Sequence, residues 1–303
     1  MSPPRKPTRP AKPAEGPILN GPYDEPRWHF ATAADGNLDY RDRRDGRRVF
    51  APDTPQVPIG RESQNGLYDL NDFAANYRDF LVNQLREQLG QWRNDGYPGV
   101  TSRVTRELLA YWFENPERQS HQQLFFAQRE AVEAAIWLNE VAERSNPGTH
   151  VLNQLRQAQA SVEDPQVMLP RIAFKMATGT GKTVVMACLV LYHYLNRAQY
   201  RNDPRYADYF LLVAPGITIR DRLAVLRVDA EAVADHDAAD YYRQRKLVPP
   251  AYATLLAGLN SRLAITNFHS FEARLIGGNK KSPLDGKLGP DGKKVEARED
   301  EAL

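Results

Sequence analysis

Residues 172–176 form a short, mostly apolar run, Ile-Ala-Phe-Lys-Met, and Gly179-Thr180-Gly181-Lys182-Thr183 follow two residues later. Residues 184–195 are then apolar almost throughout. A strand, a glycine loop and a buried helix in that order commit this region to an α/β layer. The glycines let backbone N–H groups turn inward around an anion with no Cβ in the way. The helix N-terminus adds its partial positive charge. On this reading the loop binds phosphate. Thr178, Gly179, Thr180 and Gly181 form the cradle, Lys182 lies against the β- and γ-phosphates, and the Thr183 hydroxyl ligates Mg²⁺.

One position departs from the strict pattern G-x-x-x-x-G-K-[ST], which asks for glycine where this chain has Met176. Many kinases and GTPases keep that first glycine. Superfamily-2 helicases and translocases open the loop with alanine or another non-glycine residue and carry T-G-x-G-K-T. Thr178-Gly179-Thr180-Gly181-Lys182-Thr183 resembles that version. A small-molecule kinase remains the competing enzyme class.

Net charge does not announce a polyanionic partner, since 40 Lys and Arg stand against 38 Asp and Glu. Any basic surface must be local. The single cysteine, Cys188, lies in the apolar helix and reads as a buried, inert thiol. No run is long enough to span a membrane and the Pro- and Arg-rich start has no apolar core, so a cytoplasmic protein is expected.

Along the chain, residues 1–17 read as a disordered Pro and basic tail, and 18–65 as an irregular segment with many turn formers. Its arginines, Arg41, Arg43, Arg44, Arg47 and Arg48, read as a solvated loop. Residues 66–165 read as helical. One helix runs from a cap at Asn71-Asp72 through Leu89, with Phe73, Tyr77, Phe80, Leu81 and Leu85 at helical spacing. A second runs from Ser102 to Phe113, and a third from Gln122 to Arg144, stopping at Asn146-Pro147-Gly148. From 166 to 276 strand-like runs at 171–176, 209–214 and 262–267 alternate with helices at 182–198 and 217–227, the pattern of a parallel sheet. Residues 277–303 read as a charged loop or frayed end.

Other stations fit the helicase resemblance. Gln128 precedes the loop on a helix entered through Phe125 and Phe126, where superfamily-2 proteins place a glutamine whose amide reads adenine; one amide offers both donor and acceptor. Pro215, Gly216, Thr218 and Arg220 resemble helicase motif Ia, and Thr266-Asn267-Phe268-His269 resembles the T-N-x-H segment of restriction-type helicases. Both follow strand ends, where open sheets bind their ligands. The chain therefore resembles the motor subunit of type III restriction enzymes over most of residues 18–275. That resemblance implies an α/β fold, a P-loop RecA-like parallel sheet forming an incomplete first motor lobe, preceded by a helical region. It also implies ATP and Mg²⁺ as cofactors, DNA as partner through Pro215, Gly216, Thr218, Arg220, Thr266 and Asn267, and a methyltransferase subunit as a second partner. ATP hydrolysis is the implied activity. An acidic D-E-x-H box and a second lobe are also implied, yet 120 residues follow Thr183, too few for both lobes. Asp300-Glu301-Ala302-Leu303 spells D-E-A-L after a charged stretch where the box needs a buried strand. A polypeptide that is the N-terminal part of a longer motor, weak in turnover by itself, is the expectation. A nucleotide- or DNA-binding fragment without catalysis is the alternative.

Overall fold

The computed structural model describes residues 18–32, 37–50, 80–118, 122–160, 171–232 and 237–275. The readings for the tail at 1–17, the Asn71-Asp72 cap with Phe73 and Tyr77, and the segment 277–303 with Asp300 and Glu301 fall outside these residues. The first element is a hairpin in the stretch read as irregular. β1 (Trp28–Thr32) and β2 (Leu38–Asp45) pair antiparallel, with a register shift between Phe30 and Ala31. Asn20 anchors its start: the side-chain oxygen accepts the Arg27 and Trp28 N–H groups at 2.8 and 3.0 Å. Four of the five arginines read as a solvated loop are exposed, though Arg41, Arg43 and Arg44 stand on β2 and not in a loop. Arg43 covers the Trp28 ring at 4.3 Å, and Arg47 makes a two-pronged ion pair with Glu130.

The helical layer follows. α1 (Leu81–Asn94) runs past Leu89 through Gly90. A helical glycine costs about 1 kcal/mol, whereas burying a side chain such as Leu89 contributes about 1.5–3 kcal/mol, and Trp92 is buried beside it. α2 (Arg103–Leu109) is capped by the Ser102 hydroxyl, which accepts the Thr105 N–H at 3.2 Å. It continues as a wider π-turn, Ala110–Glu114, and stops before Pro116 as expected. α3 (Phe126–Glu140) starts later than the periodicity predicts, with Phe125 as its cap residue. α3 and the 3-10 turn after it, Ala142–Arg144, do end before Asn146-Pro147-Gly148, and those residues then open α4 (Asn146–Ala160). Ser145 caps it, its hydroxyl accepting the Gly148 N–H at 3.1 Å, and proline is tolerated in a first turn because its missing N–H has no partner there. Gly148 is required for packing, since a Cβ there would overlap the Ala142 carbonyl.

α5 (Lys182–Gln199) is the centre of the molecule. Val184, Val185, Ala187, Cys188, Val190, Leu191, Tyr192 and Leu195 are all buried, against α2 and α3 on one side. Its β-branched valines are indifferent helix formers, at well under about 1 kcal/mol each, and their burial outweighs that. Burial pushes the Cys188 thiol up to about 12, so the expected inert thiol is what the fold provides. Among the described residues no helix is long and apolar enough to cross a membrane.

β3 (Phe210–Ala214) leads into α6 (Ile217–Arg222), which continues as a 3-10 turn, Leu223–Leu226. α7 (Tyr241–Gln244) and a long 3-10 stretch, Pro250–Arg262, then bring the chain to β4 (Leu263–Asn267) and α8 (Phe268–Leu275). β3 and β4 pair in parallel, Phe210 opposite Leu263 and Ala214 opposite Asn267. Among the described residues the parallel sheet is limited to these two strands, so the wider sheet and the strand expected before the loop are not formed. The third run, 171–176, is extended but pairs with neither strand. Phe174 and Met176 turn onto the core while Ile172 stays 50% exposed, so alternate side chains anchor the segment without a ladder.

His193 supplies a pH test of the α5 packing. Its Nδ1 accepts the Ala207 N–H at 3.3 Å, which requires a bare ring nitrogen, and burial pushes its pKa down to about 4. The fold thus favours the neutral ring, while the unfolded chain takes up a proton below about pH 6.5. This contribution is complete above about pH 6.5 and is lost as pH falls toward about 4, by at most about 1 kcal/mol per pH unit. Urea unfolding at pH 7 and pH 5 should show a smaller drop for His193→Gln than for the wild type. Equal drops would place the acid sensitivity elsewhere.

Candidate nucleotide site

The phosphate loop joins the extended segment to α5. Gly179 and Gly181 have φ of 82° and 77°, the left-handed region that a side chain resists. Gly181 is the cap residue of α5. Ala177 and Gly181 carbonyls tie the loop internally, accepting from Thr180 Oγ1 at 2.7 Å and from the Val184 N–H at 2.9 Å. Among the described residues no protein acceptor takes the N–H groups of Gly179, Gly181, Lys182 or Thr183. Unpaired donors at a helix N-terminus are the chemistry an anionic oxygen meets. Lys182 is exposed and folds back on the loop, donating to the Met176 and Ala177 carbonyls at 3.1 and 2.9 Å. Space over Gly179 is open, with nothing within 4 Å of where a Cβ would stand. Thr183, half-buried, lies in the first turn beside Lys182. These donors and this opening fit a magnesium-bound nucleoside polyphosphate.

Gln128 is brought to the loop by the first turn of α3. Its Oε1 accepts the Phe125 N–H at 3.0 Å, closing the helix start, and its Nε2 donates to the Thr180 carbonyl at 2.9 Å. The side chain is 5% exposed. A Cβ on Gly181 would overlap its amide nitrogen, so this glycine serves both loop curvature and the Gln128 contact. Both ends of the amide are engaged within the protein.

The second group of predicted residues gathers where β3 and β4 end side by side. Pro215 and Thr218 are exposed, and Gly216 begins α6 in extended backbone. Arg220 lies on the exposed side of α6, paired with its neighbour Asp221 at 2.7 Å. Thr266 and Asn267 are buried. The Asn267 side-chain oxygen accepts the Ser270 N–H at 2.8 Å and caps α8, a role that an asparagine before a helix announces by itself.

What sequence reasoning missed is the support of α3. The Phe126 N–H donates to the Pro22 carbonyl at 2.8 Å, and the Tyr23 ring stands 5.5 Å from the Phe125 ring. Arg47 grips Glu130, and the Phe126 ring receives Arg47 and Arg93 at 5.4 and 5.0 Å. No local signal could have joined residues 83 apart.

With this geometry in hand, comparison with known families is direct. The family model described as type III restriction enzyme, res subunit, matches residues 115–283, a span from before α3 to beyond α8. No curated protein and no solved structure matches the chain. The matched span exceeds half the chain and holds the phosphate loop, Gln128 and both strand ends, so the chain belongs to the res-subunit family of type III restriction enzymes, a family of ATP-dependent, helicase-like motors.

Proposed function

We propose that the chain binds Mg²⁺–ATP at the phosphate loop and contacts DNA beyond the ends of β3 and β4, as the first lobe of a restriction-type translocase. The observation that carries this reading is the loop itself: two glycines in left-handed geometry, unpaired N–H groups and an exposed Lys182 at the head of a buried helix. Lys182 exchanges its two carbonyl partners for β- and γ-phosphate oxygens. Thr178, Gly179, Thr180 and Gly181 line the phosphates, and Thr183 ligates the metal. The bound Mg²⁺ supplies neutralisation of charge on the transferred phosphoryl group. Gln128 keeps one amide hydrogen and one oxygen lone pair beyond its bonds to the Thr180 carbonyl and the Phe125 N–H, and these are the donor and acceptor it offers adenine.

On the DNA side, Thr218 is exposed, and Arg220, half-buried and paired with Asp221, keeps further N–H groups to offer, beside Pro215 and Gly216. Thr266 and Asn267 hold the neighbouring turn in shape from within. Since net charge is only +2, binding is local and few phosphates are neutralised. For about two phosphates the affinity falls with salt on a logarithmic slope near −2. Arg220→Glu should weaken duplex binding severalfold and flatten that slope in a fluorescence-anisotropy titration. An unchanged titration would remove motif Ia from the DNA path while leaving the nucleotide site intact.

A further inference from the structure

The strongest set of contacts that nucleotide chemistry leaves unused is the grip of the N-terminal segment on the first turn of α3. That turn matters because Gln128, within it, is the described side chain that bonds the phosphate loop from outside the loop, at the Thr180 carbonyl. Three separate attachments hold it. Phe126 gives its N–H to Pro22, Phe125 meets the Tyr23 ring, and Glu130 takes both prongs of Arg47, the second at 2.6 Å. Arg86 adds a third N–H group facing the same carboxylate at 3.9 Å. The Arg47 and Glu130 side chains are 24% and 15% exposed, so the pair is shielded from water and its geometry is more consequential than a surface pair's. The hairpin, Arg47 and α1 all precede residues 115–283, the span that the family model matches.

We propose that the N-terminal hairpin is a positioning brace for the phosphate loop: the Arg47–Glu130 pair orients the first turn of α3, and Gln128 transmits that orientation to Thr180 and Gly181. Arg47 and Glu130 are positioning residues that touch no nucleotide, and the inference rests on the nucleotide reading of the loop. If the brace loosens, Gln128 no longer holds the Thr180 carbonyl, and the loop samples conformations that present its N–H groups poorly. A nucleotide then binds a competent state of reduced population, which lowers its apparent affinity by that fraction.

The test uses the full chain and Mg²⁺–ATP as probe, by calorimetry, with hydrogen exchange of the peptide covering residues 176–184 measured without nucleotide. Arg47→Met keeps the stem and removes the fork. It should weaken binding about three- to tenfold, in the range reported for couplings through packed networks, and speed exchange in the loop peptide. Glu130→Gln, which preserves shape, should do the same in smaller measure, and Arg47→Lys should restore part of the loss. The decisive readout is coupling. In a Gln128→Ala background, Arg47→Met should have little further effect on affinity or exchange, because its path to the loop has been cut. Additive losses in the double variant would overturn the brace, as would loop exchange unchanged by both Arg47→Met and Glu130→Gln. A wild type that fails to bind Mg²⁺–ATP would sink the nucleotide reading by itself, with the exchange experiment still judging the brace.

Discussion

Lys182→Ala is expected to weaken Mg²⁺–ATP binding by at least tenfold, or about 1.4 kcal/mol. Backbone N–H groups and the helix terminus offset only part of the charge on a triphosphate, and the Lys182 ammonium supplies a full opposite charge. The wild-type lysine must first leave the Met176 and Ala177 carbonyls, to which it donates at 3.1 and 2.9 Å. Those bonds lie at an exposed site where water replaces them at little cost, so they subtract little from the gain. Gly181→Ala provides a companion test with a different cause. The loop there has φ of 77°, and the added methyl meets the Gln128 amide. It should lower affinity at least as far, without altering charge. Equal calorimetric affinity for the wild type and Lys182→Ala would mean that the loop is not the phosphate site.

How much of this was legible in the sequence depends on the range of the interaction. α5 is, because a helix whose whole circumference is apolar can be read from its own residues. β3 and β4 are legible for a similar reason, as short apolar runs between turn formers, and they appear at Phe210–Ala214 and Leu263–Asn267. The run at 171–176 is also mostly apolar, yet extended backbone becomes a strand only by pairing, and a run's own residues do not name its partner. The hairpin was hidden for the opposite reason. β2 is Leu-Asp-Tyr-Arg-Asp-Arg-Arg-Asp, whose charges argue against a strand, and what fixes it is the remote Asn20 side chain and the Arg43 contact with Trp28. Asn146-Pro147-Gly148 reads as a stop and is one, yet the same residues after a serine also open the next helix. A turn signal marks a boundary without saying what begins beyond it.

The candidate site divides in the same way. Its cradle is contiguous, so the glycine geometry and the place of Lys182 follow from local spacing. Gln128 could be picked out as a station of the family, but its bond to Thr180 spans 52 residues and is a product of the fold. Family resemblance gave Thr266 and Asn267 a role in contact with DNA; the fold buries both and uses Asn267 as a helix cap.

The largest effect on stability is expected at Glu133, a residue with no part in the chemistry. Its carboxylate is fully buried in α3 and accepts from the Arg93 Nε and Nη2 at 3.0 and 2.6 Å, from the Arg129 Nε at 2.7 Å and from the Tyr97 hydroxyl at 2.7 Å. Burial, and next the adjoining Glu133 charge, hold the Tyr97 phenol far above its ordinary pKa, so it stays a donor throughout the working range. Glu133→Ala leaves two guanidinium groups and a phenol in a low-dielectric layer without their acceptor. Breaking such a buried network from one side costs about 3–5 kcal/mol, a large share of a domain's total of about 5–15 kcal/mol. The exposed pair Arg156–Glu143, at 3.3 Å, is the control. A solvated pair of this kind contributes only about 0.2–1 kcal/mol. Urea unfolding should therefore separate Glu133→Ala from Glu143→Ala by several kcal/mol. Glu133→Gln should fall between the two, since it keeps the shape and one acceptor but loses the charge that two arginines face. If the two alanine variants unfolded at the same urea concentration, the Arg93–Glu133–Arg129 cluster would be a feature of specificity and not of stability. α1 and α3 would then be held together mainly by their apolar faces, beside the Arg86–Glu130 contact.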